Sequence, residues 1–438
     1  MSFFLHGVNL PHRKHTADRP AERIGEVASV TIPMVMHIGA PATPIVKVGD
    51  TVEIGTKIAE ASGAISSPIF ASISGKVTKI SEMLASNGNK MNAITIESDG
   101  EMRTSGELKA PVITNREELI AAIKESGAVG LGGAGFPTHA KLNADPEKIE
   151  EIIINGAECE PYITSDSYTM TERADDMEFA IRELQKYLSP KRVIIGIENN
   201  KTKPIEAMKA LAARTPGVEV AVLPSRYPQG GEKVLVYHTT KKVIQTGKLP
   251  IDVGCVVCNC TTVAAIGSYL KTGMPLVEKC VTVDGGAVKE PKNVIAPIGT
   301  PIKELIDFCG GLTEEPMKVL YGGPMMGITV PDLNLPVIKN TNAIIALTEK
   351  EAKLPKTTAC IRCGACANAC PFGLAPAQIL LAYKKKDTEA LNRLSVDTCM
   401  LCGCCSFSCP ANRPLVQTNL LAKQFVKEEM EKEASKNG

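Results

Sequence analysis

Two cysteine runs of identical spacing constrain this 438-residue chain more than any other feature. Each run reads C-x2-C-x2-C-x3-C-P, the first from Cys360 to Pro371 and the second from Cys399 to Pro410. Structural zinc takes four ligands, commonly from paired C-x2-C units. Disulfides need an oxidising compartment, and the first residues show no charged region followed by a long apolar core, so no secretory signal is predicted. A triple run with a trailing Cys-Pro, present twice, favours iron and sulfide over both alternatives.

The pattern resembles that of bacterial ferredoxins with two 4Fe-4S clusters, in which the fourth cysteine of each run binds the other cluster. We therefore predict that the first cluster is held by Cys360, Cys363, Cys366 and Cys409. The second is predicted to be held by Cys399, Cys402, Cys405 and Cys370. Cys404 is left over. A separate triplet, one thiol short of a closed tetrahedral site, is interpreted as packing cysteines, with an extra metal as the alternative: Cys255, Cys258 and Cys260.

Charge and composition exclude other classes of function. With 49 basic and 48 acidic residues and no Trp, the chain has neither the field nor the stacking surface for nucleic acid. No run approaches the roughly 18 apolar residues needed to span a bilayer. Membrane association is therefore expected only through partner subunits. The length predicts roughly three or four domains.

Changes in sequence texture predict a multidomain protein of α/β and α+β class. Short β-rich segments with Gly, Pro or Asn turns follow a polar, proline-bearing start and predict a small all-β unit. The phrase from Val46 to Ile58 is similar to a lipoyl or biotinyl barrel, but the Met-Lys-Met turn that would carry a covalent cofactor is absent. The predicted domains are 1–28, an extended arm; 29–108, a barrel-sandwich; 109–274, a Rossmann-like domain; 275–347, a smaller domain; 348–422, a helical two-cluster ferredoxin domain; and 423–438, a charged, frayed tail.

Within 109–274 the pattern alternates between strands and helices, which predicts a parallel sheet covered on both faces. The strands are expected at 152–156, 192–198 and 218–223, and the helices at 116–126, 168–188, 203–214 and 231–240. The stretch from Gly130 to Lys141 contains glycines that let backbone N–H groups approach a phosphate, although tight packing explains such a turn equally well. Asn155 to Pro161 follows a strand, at the edge where open parallel sheets bind ligands.

These stretches resemble the NADH-oxidising subunit of respiratory complex I. Gly130 to Lys141 is similar to its Gly-Arg-Gly-Gly-Ala-Gly-Phe-Pro-Thr-Gly-Leu-Lys flavin loop, and Asn155 to Pro161 to its Asn-Ala-Asp-Glu-Ser-Glu-Pro. Tyr227 to Glu232 and Cys258 to Thr262 resemble two further motifs of that subunit. The resemblance implies non-covalent FMN at Gly130, Gly132, Gly133, Gly135, Lys141, Asn155, Glu158, Gly230, Asn259 and Thr262. It implies NADH at Phe136, Glu160 and Glu232. The same resemblance implies that 109–274 is an FMN/NADH-binding domain and that 275–347 is a β-grasp (SLBB) domain. The sequence departs from the family at Leu131, His139 and Gly231.

The order barrel, flavin domain, β-grasp and two-cluster ferredoxin resembles the C subunit of Rnf complexes over essentially the whole chain. That family implies an NAD-dependent flavin and iron–sulfur oxidoreductase, peripheral on the cytoplasmic face of the cell membrane. Its partners are an iron–sulfur subunit that accepts electrons and integral membrane subunits that move Na+ or H+. A hydride step needs no acid–base residue, so no catalytic side chain is expected. Two alternatives are a corrinoid reductase of similar architecture and an electron-relay module whose flavin site has decayed.

Overall fold

The computed structural model describes residues 6–86 and 88–437. Its elements form four regions in chain order: a sandwich of two small sheets, an α/β domain, a mixed sheet, and a helical region that carries both cysteine runs. The predicted fold class is confirmed. The first strand, β1 (Ala21–Arg23), precedes the sandwich in sequence but belongs to the mixed sheet.

The N-terminal sandwich consists of seven short strands: β2 (Ser29–Pro33), β3 (Thr43–Pro44), β4 (Thr51–Val52), β5 (Lys57–Glu60), β6 (Ile69–Phe70), β7 (Gly75–Leu84) and β8 (Lys90–Ser98). One sheet has the order β2-β8-β7-β4 and the other β3-β5-β6, and every pairing is antiparallel. Val30 and Ile32 on β2, and Ile94 and Ile96 on β8, are fully buried at every second position. One face of this sheet therefore packs into the core.

The α/β domain comprises α1 (Arg116–Glu125), α2 (Thr138–Leu142), β9 (Glu151–Gly156), α3 (Ser165–Glu172), α4 (Ala174–Leu188), β10 (Arg192–Glu198), α5 (Thr202–Arg214), β11 (Val218–Leu223), α6 (Glu232–Thr240), β12 (Cys255–Asn259) and α7 (Cys260–Thr272). Its sheet is parallel in the order β11-β10-β9-β12. β9 and β10 are buried along nearly their whole length, as expected for strands with helices on both faces. The predicted parallel sheet is confirmed, and the helix predicted over 168–188 is divided at Arg173.

The mixed sheet includes β13 (Glu278–Asp284), β14 (Lys292–Pro297), β15 (Lys318–Tyr321), β16 (Ile328–Thr329) and β17 (Ala343–Leu347), with helices α8 (Ile302–Phe308) and α9 (Glu349–Ala352). The order is β1-β14-β13-β17-β15-β16. β13 and β14 form an antiparallel hairpin, and α8 follows it in the chain.

The N-terminal arm is packed, which corrects the prediction of an extended arm that is not a packed element. β1 pairs in parallel with β14, and Val8 forms a bridge with Tyr227. Lys14 Nζ donates to the carbonyls of Glu158 and Glu160 at 3.0 and 2.7 Å, and burial lowers the pKa of this lysine to about 8. The polar sequence of the arm is thus explained by the loops that it crosses and binds.

The helical region contains α10 (Ala365–Asn368), α11 (Pro376–Lys384), α12 (Thr388–Arg393), α13 (Cys404–Phe407) and α14 (Leu415–Asn437). A frayed tail over 423–438 was the wrong expectation, because α14 continues to Asn437 and buries Ala422 and Val426 against the other helices. The predicted boundary at 422 therefore divides a helix. Among the described residues, no helix is both long enough and apolar enough to cross a bilayer.

Candidate functional site

The residues predicted to surround a flavin meet at the carboxyl end of the parallel sheet. β9 ends at Gly156 and β12 at Asn259. The glycine-rich loop 130–136 lies beside them, because the amide of Leu131 donates to the Thr262 hydroxyl near the start of α7 at 2.9 Å. This edge is where open α/β sheets bind ligands.

The glycine-rich loop has backbone N–H groups that form no hydrogen bond within the described residues. The loop closes on itself, since the Gly130 amide donates to the Phe136 carbonyl and the Gly135 amide to the Gly130 carbonyl, at 2.9 and 3.0 Å. Residues 132–134 are exposed, and their amides donate to no acceptor within the described residues. Gly133 has a φ of +136°, which side chains rarely adopt. Such a cradle of N–H groups fits an anion such as phosphate.

Two side chains from the mixed-sheet region hold the opposite, carbonyl side of this loop. Lys279 Nζ donates to the Leu131 carbonyl at 2.9 Å, and Asn340 Nδ2 to the Gly133 carbonyl at 2.7 Å. Lys279 is fully enclosed, and burial lowers its pKa to about 8. Sequence reasoning missed both residues. They stand 148 and 207 residues along the chain from their partners and belong to no motif, so no local signal could have found them.

The start of α7 forms a second wall of the site. Asn259 caps this helix, because its Oδ1 accepts from the Thr262 amide at 3.2 Å, while its Nδ2 donates to Asp166 at 2.8 Å. The absence of a side chain at Gly132 is required here, since a Cβ would lie 2.8 Å from Asn259 Nδ2. The positive end of the helix dipole thus lies beside the free amides of the loop.

Two further pairs of predicted residues close the remaining sides. Lys141 Nζ and Glu232 Oε1 form an ion pair at 2.9 Å, with both side chains partly exposed. Asn155 Nδ2 donates to the Gly230 carbonyl at 2.9 Å. Only glycine fits at 230, because a Cβ would lie 2.3 Å from the Ala157 carbonyl oxygen. These contacts fix the spacing between the loops that follow β9 and β11.

The structure gives Glu158 another role than the predicted contact with FMN. Its carboxylate accepts from the Asp166 amide at 2.7 Å and the Ser167 hydroxyl at 2.8 Å. It also pairs with Lys201 Nζ at 2.9 Å, with side-chain exposures of only 3% and 7%. All its hydrogen-bonding capacity is directed into the protein, so it supports the loop from behind.

Glu160 also differs from its prediction as an NADH contact. Its two oxygens accept from the amides of Met325 and Met326 at 3.0 and 2.9 Å, in the turn between β15 and β16. Burial raises its pKa to about 7. These two bonds join the loop after β9 to the mixed-sheet region, so Glu160 lies at the contact between two domains. Phe136, a second predicted contact with NADH, is half-buried at the end of the glycine loop.

The four cysteines predicted for the second cluster line a single cavity, called here the second-run cavity. Cys399, Cys402 and Cys405 come from the second run, and Cys370 crosses from the first. Across residues 6–86 and 88–437, no three ligating side chains converge as a single metal ion would require. A 4Fe-4S cube is held by thiolates on separate irons, so its sulfurs surround a volume. The set of four thiols fits such a cube.

The cysteines predicted for the first cluster are more open. Cys360 and Cys363 are exposed. Cys366 and Cys409 come together against a small apolar cluster of Leu380, Cys405 and Leu415. Cys366 and Cys409 therefore pack against one apolar cluster, whereas Cys360 and Cys363 lie at the surface.

The second-run cavity lies directly beside Gly231, in the loop that follows β11. Met400 lines the cavity, and its Cε lies 2.5 Å from where a Cβ on Gly231 would be. The Tyr227 hydroxyl donates to the Cys402 carbonyl at 2.8 Å. Cys404, left over in the cluster assignment, is fully buried in this same junction.

The triplet that resembled an incomplete metal site is spread over two cores. Cys258 and Cys260 belong to the main core of the α/β domain. Cys255 lies in a smaller core on the other side of β12, with its Sγ 3.4 Å from Glu151. This placement agrees with their interpretation as packing cysteines.

Four family descriptions match consecutive parts of the chain. They are the RnfC barrel sandwich hybrid domain (residues 2–101), the Nuo51 FMN-binding domain (123–268), the SLBB domain (280–329) and the 4Fe-4S dicluster domain (356–413). With the fold and the site, these matches define the class: an oxidoreductase that uses FMN and two 4Fe-4S clusters.

Curated relatives narrow the class to one family. The C subunit of the proton-translocating ferredoxin:NAD(+) oxidoreductase complex of Clostridium ljungdahlii is 42% identical, covering 85% of this chain and 82% of that protein. The C subunit of the Na(+)-translocating complex of Acetobacterium woodii is 41% identical, covering 86% of each. A third relative, the C subunit of the ion-translocating oxidoreductase complex of Rhodobacter capsulatus, is 41% identical over 96% of this chain and 83% of its own. The chain belongs to the family of C subunits of Rnf complexes, as its motifs predicted.

Proposed function

We propose that this chain is the NADH-binding flavo-iron–sulfur subunit of an ion-translocating NAD:ferredoxin oxidoreductase complex. The observation that carries the proposal is the close approach of Met400, which lines the cysteine cavity, to Gly231, the neighbour of the proposed FMN contact Gly230. When bound, FMN exchanges a hydride with the nicotinamide and single electrons with the clusters, which is why the three groups occur together.

The residues of the flavin wall have distinct tasks in this proposal. The exposed amides of residues 132–134 and the start of α7 bind the phosphate, and Lys141 adds a positive charge. Glu158 positions the loop after β9 from behind. Phe136 and Glu232 are placed on the nicotinamide side. The full proposed FMN wall is Gly130, Gly132, Gly133, Gly135, Lys141, Asn155, Gly230, Asn259 and Thr262.

The two cysteine sets lie at different depths. The set Cys370, Cys399, Cys402 and Cys405 holds the cluster next to the flavin wall. The set Cys360, Cys363, Cys366 and Cys409 holds the cluster nearer the surface, where an iron–sulfur partner subunit docks. Cys405 contributes to the cavity and packs with Cys366 and Cys409, so the two sets adjoin. We place the chain on the cytoplasmic face of the membrane, bound through the integral subunits of the complex.

Ala134 offers a direct test of the phosphate cradle. A134D adds a carboxylate beside the free amides and should weaken FMN binding by at least about tenfold relative to A134N, which has the same shape without the charge, because tenfold needs only about 1.4 kcal/mol. The dissociation constant is measured by fluorescence titration of the FMN-free protein. Equal affinities of the two variants would place the phosphate elsewhere.

A further inference from the structure

Each cysteine run continues into a helix at the same offset, and the tenth residue after the last cysteine differs in chemistry between the two halves. In each run a proline follows the last cysteine, and a helix begins shortly after it, α11 after Cys370 and α14 after Cys409. The fourteenth residue after that cysteine is a lysine in both halves, Lys384 and Lys423. The tenth residue is Leu380 in the first half and Asn419 in the second. An apolar side chain in one half thus corresponds to an amide in the other.

Both side chains lie against the predicted cluster ligands of their own half. Leu380 packs in the apolar cluster that Cys366 and Cys409 adjoin. Asn419 lines the second-run cavity, is 1% exposed, and donates from Nδ2 to Cys399 Sγ at 3.4 Å.

Among the described residues, Cys399 is the one hydrogen-bond partner of the Asn419 side chain. The Oδ1 of Asn419 is buried and has no partner in that part of the chain. Buried amides normally satisfy both ends. An amide kept in an apolar cavity with one end unpaired has its function at the other end, which is the sulfur of Cys399.

A donor to a ligand sulfur acts on the reduction potential. Reduction adds negative charge to a cluster, so burial opposes it, while N–H donors and nearby cations favour it. Cys370, Cys402 and Cys405 of the second-run cavity are buried, whereas Cys360 and Cys363 of the first run are exposed. Lys423 Nζ donates to the Cys399 carbonyl at 2.7 Å and brings a cation to the same ligand. The buried half therefore has groups that compensate for the loss of solvent.

We propose that Asn419 is a positioning residue that raises the potential of the buried second cluster through its hydrogen bond to Cys399. The proposal depends on the proposed function in that the cysteine sets hold clusters. It gives the difference between Leu380 and Asn419 a physical reason: solvent already favours reduction in the exposed half, so that cluster needs no donor at the corresponding position.

The test exchanges the two matched residues in the anaerobically purified holoprotein. Redox titration followed by electron paramagnetic resonance gives a potential for each cluster. N419L should lower one potential by an amount equivalent to about a tenfold change in the equilibrium constant for reduction, about 59 mV for a one-electron couple. L380N should raise the other potential. In each variant the remaining cluster should keep the wild-type value.

The outcomes separate this inference from the proposed function. Unchanged potentials in N419L at full iron content overturn the inference. If N419L loses iron, N419D decides, because it keeps the shape and replaces the donor by an oxygen; an unlowered potential there overturns the inference as well. A wild-type protein without two clusters would instead contradict the proposed function before any variant is compared.

Discussion

Two loops meet at the carboxyl end of the parallel sheet, and they direct their polar groups in opposite directions. The glycine-rich loop 130–136 presents free backbone amides, and its carbonyls are held from behind. The loop 155–161 turns the carboxylates of Glu158 and Glu160 into the protein. The role of the glycine-rich loop depends on its backbone, so it can be predicted from the motif alone. A role carried by a side chain depends on what packs around it, and here the surrounding domains bind both carboxylates.

The largest effect is expected when the support of the acidic loop is broken. K201M leaves the Glu158 carboxylate buried without its cation, and removal of one partner of a buried pair costs about 3–5 kcal/mol. Urea unfolding should report a loss of that size for the α/β domain. The control is K203M, two residues further along the chain. The ion pair of Lys203 with Asp18 is exposed and should contribute little. Similar losses for the two variants would show that the Glu158–Lys201 pair has no special role.

A smaller effect is expected on the glycine loop. K279M removes the donor to the buried Leu131 carbonyl, and a hydrogen bond from a charged group contributes about 1.5–3 kcal/mol, so FMN should bind about tenfold to a hundredfold more weakly. The comparison variant N340A removes an exposed bond to the same loop and should have a milder effect. FMN titration of both proteins checks the order. The reverse order would show that the loop is held from its exposed side.

The smallest effect on NADH is expected at Glu160. Because its carboxylate binds the amides of Met325 and Met326, E160Q should leave the Michaelis constant for NADH unchanged in steady-state oxidation with an artificial acceptor. A rise of about tenfold or more, about 1.4 kcal/mol, would restore the nucleotide role that the sequence predicted.

E160Q should instead change how stability depends on pH. Burial raises the folded-state pKa of Glu160 from 4.5 to about 7. The unfolded chain therefore releases this proton at lower pH than the folded protein, and wild-type stability falls as pH rises through that interval. Glutamine does not ionise, so stability should shift in favour of E160Q by up to about 1.4 kcal/mol per pH unit between pH 4.5 and 7. Parallel pH profiles of the two proteins would contradict this.

Local pattern predicted much of the fold and the outline of the site. Apolar runs such as Ile152 to Ile154 predicted the parallel strands. The spacing of the cysteines predicted that Cys370 joins the second run, and Cys370 lines the same cavity as Cys399, Cys402 and Cys405. The missed contacts of the arm and of the glycine loop depend on distant partners. The polar arm is packed because Lys14 finds carbonyls far along the chain, and Lys279 reaches the glycine loop from another domain. No window of sequence contains both members of such a pair.

The central claim is that one chain holds a flavin site and two cluster sites in contact, and the metal and flavin content of the anaerobically purified protein tests it most directly. The account predicts about one FMN and about eight irons with eight acid-labile sulfides per chain, because each ferredoxin run supplies one cube. About four irons, bound zinc, or a chain that retains clusters but cannot bind FMN would contradict it.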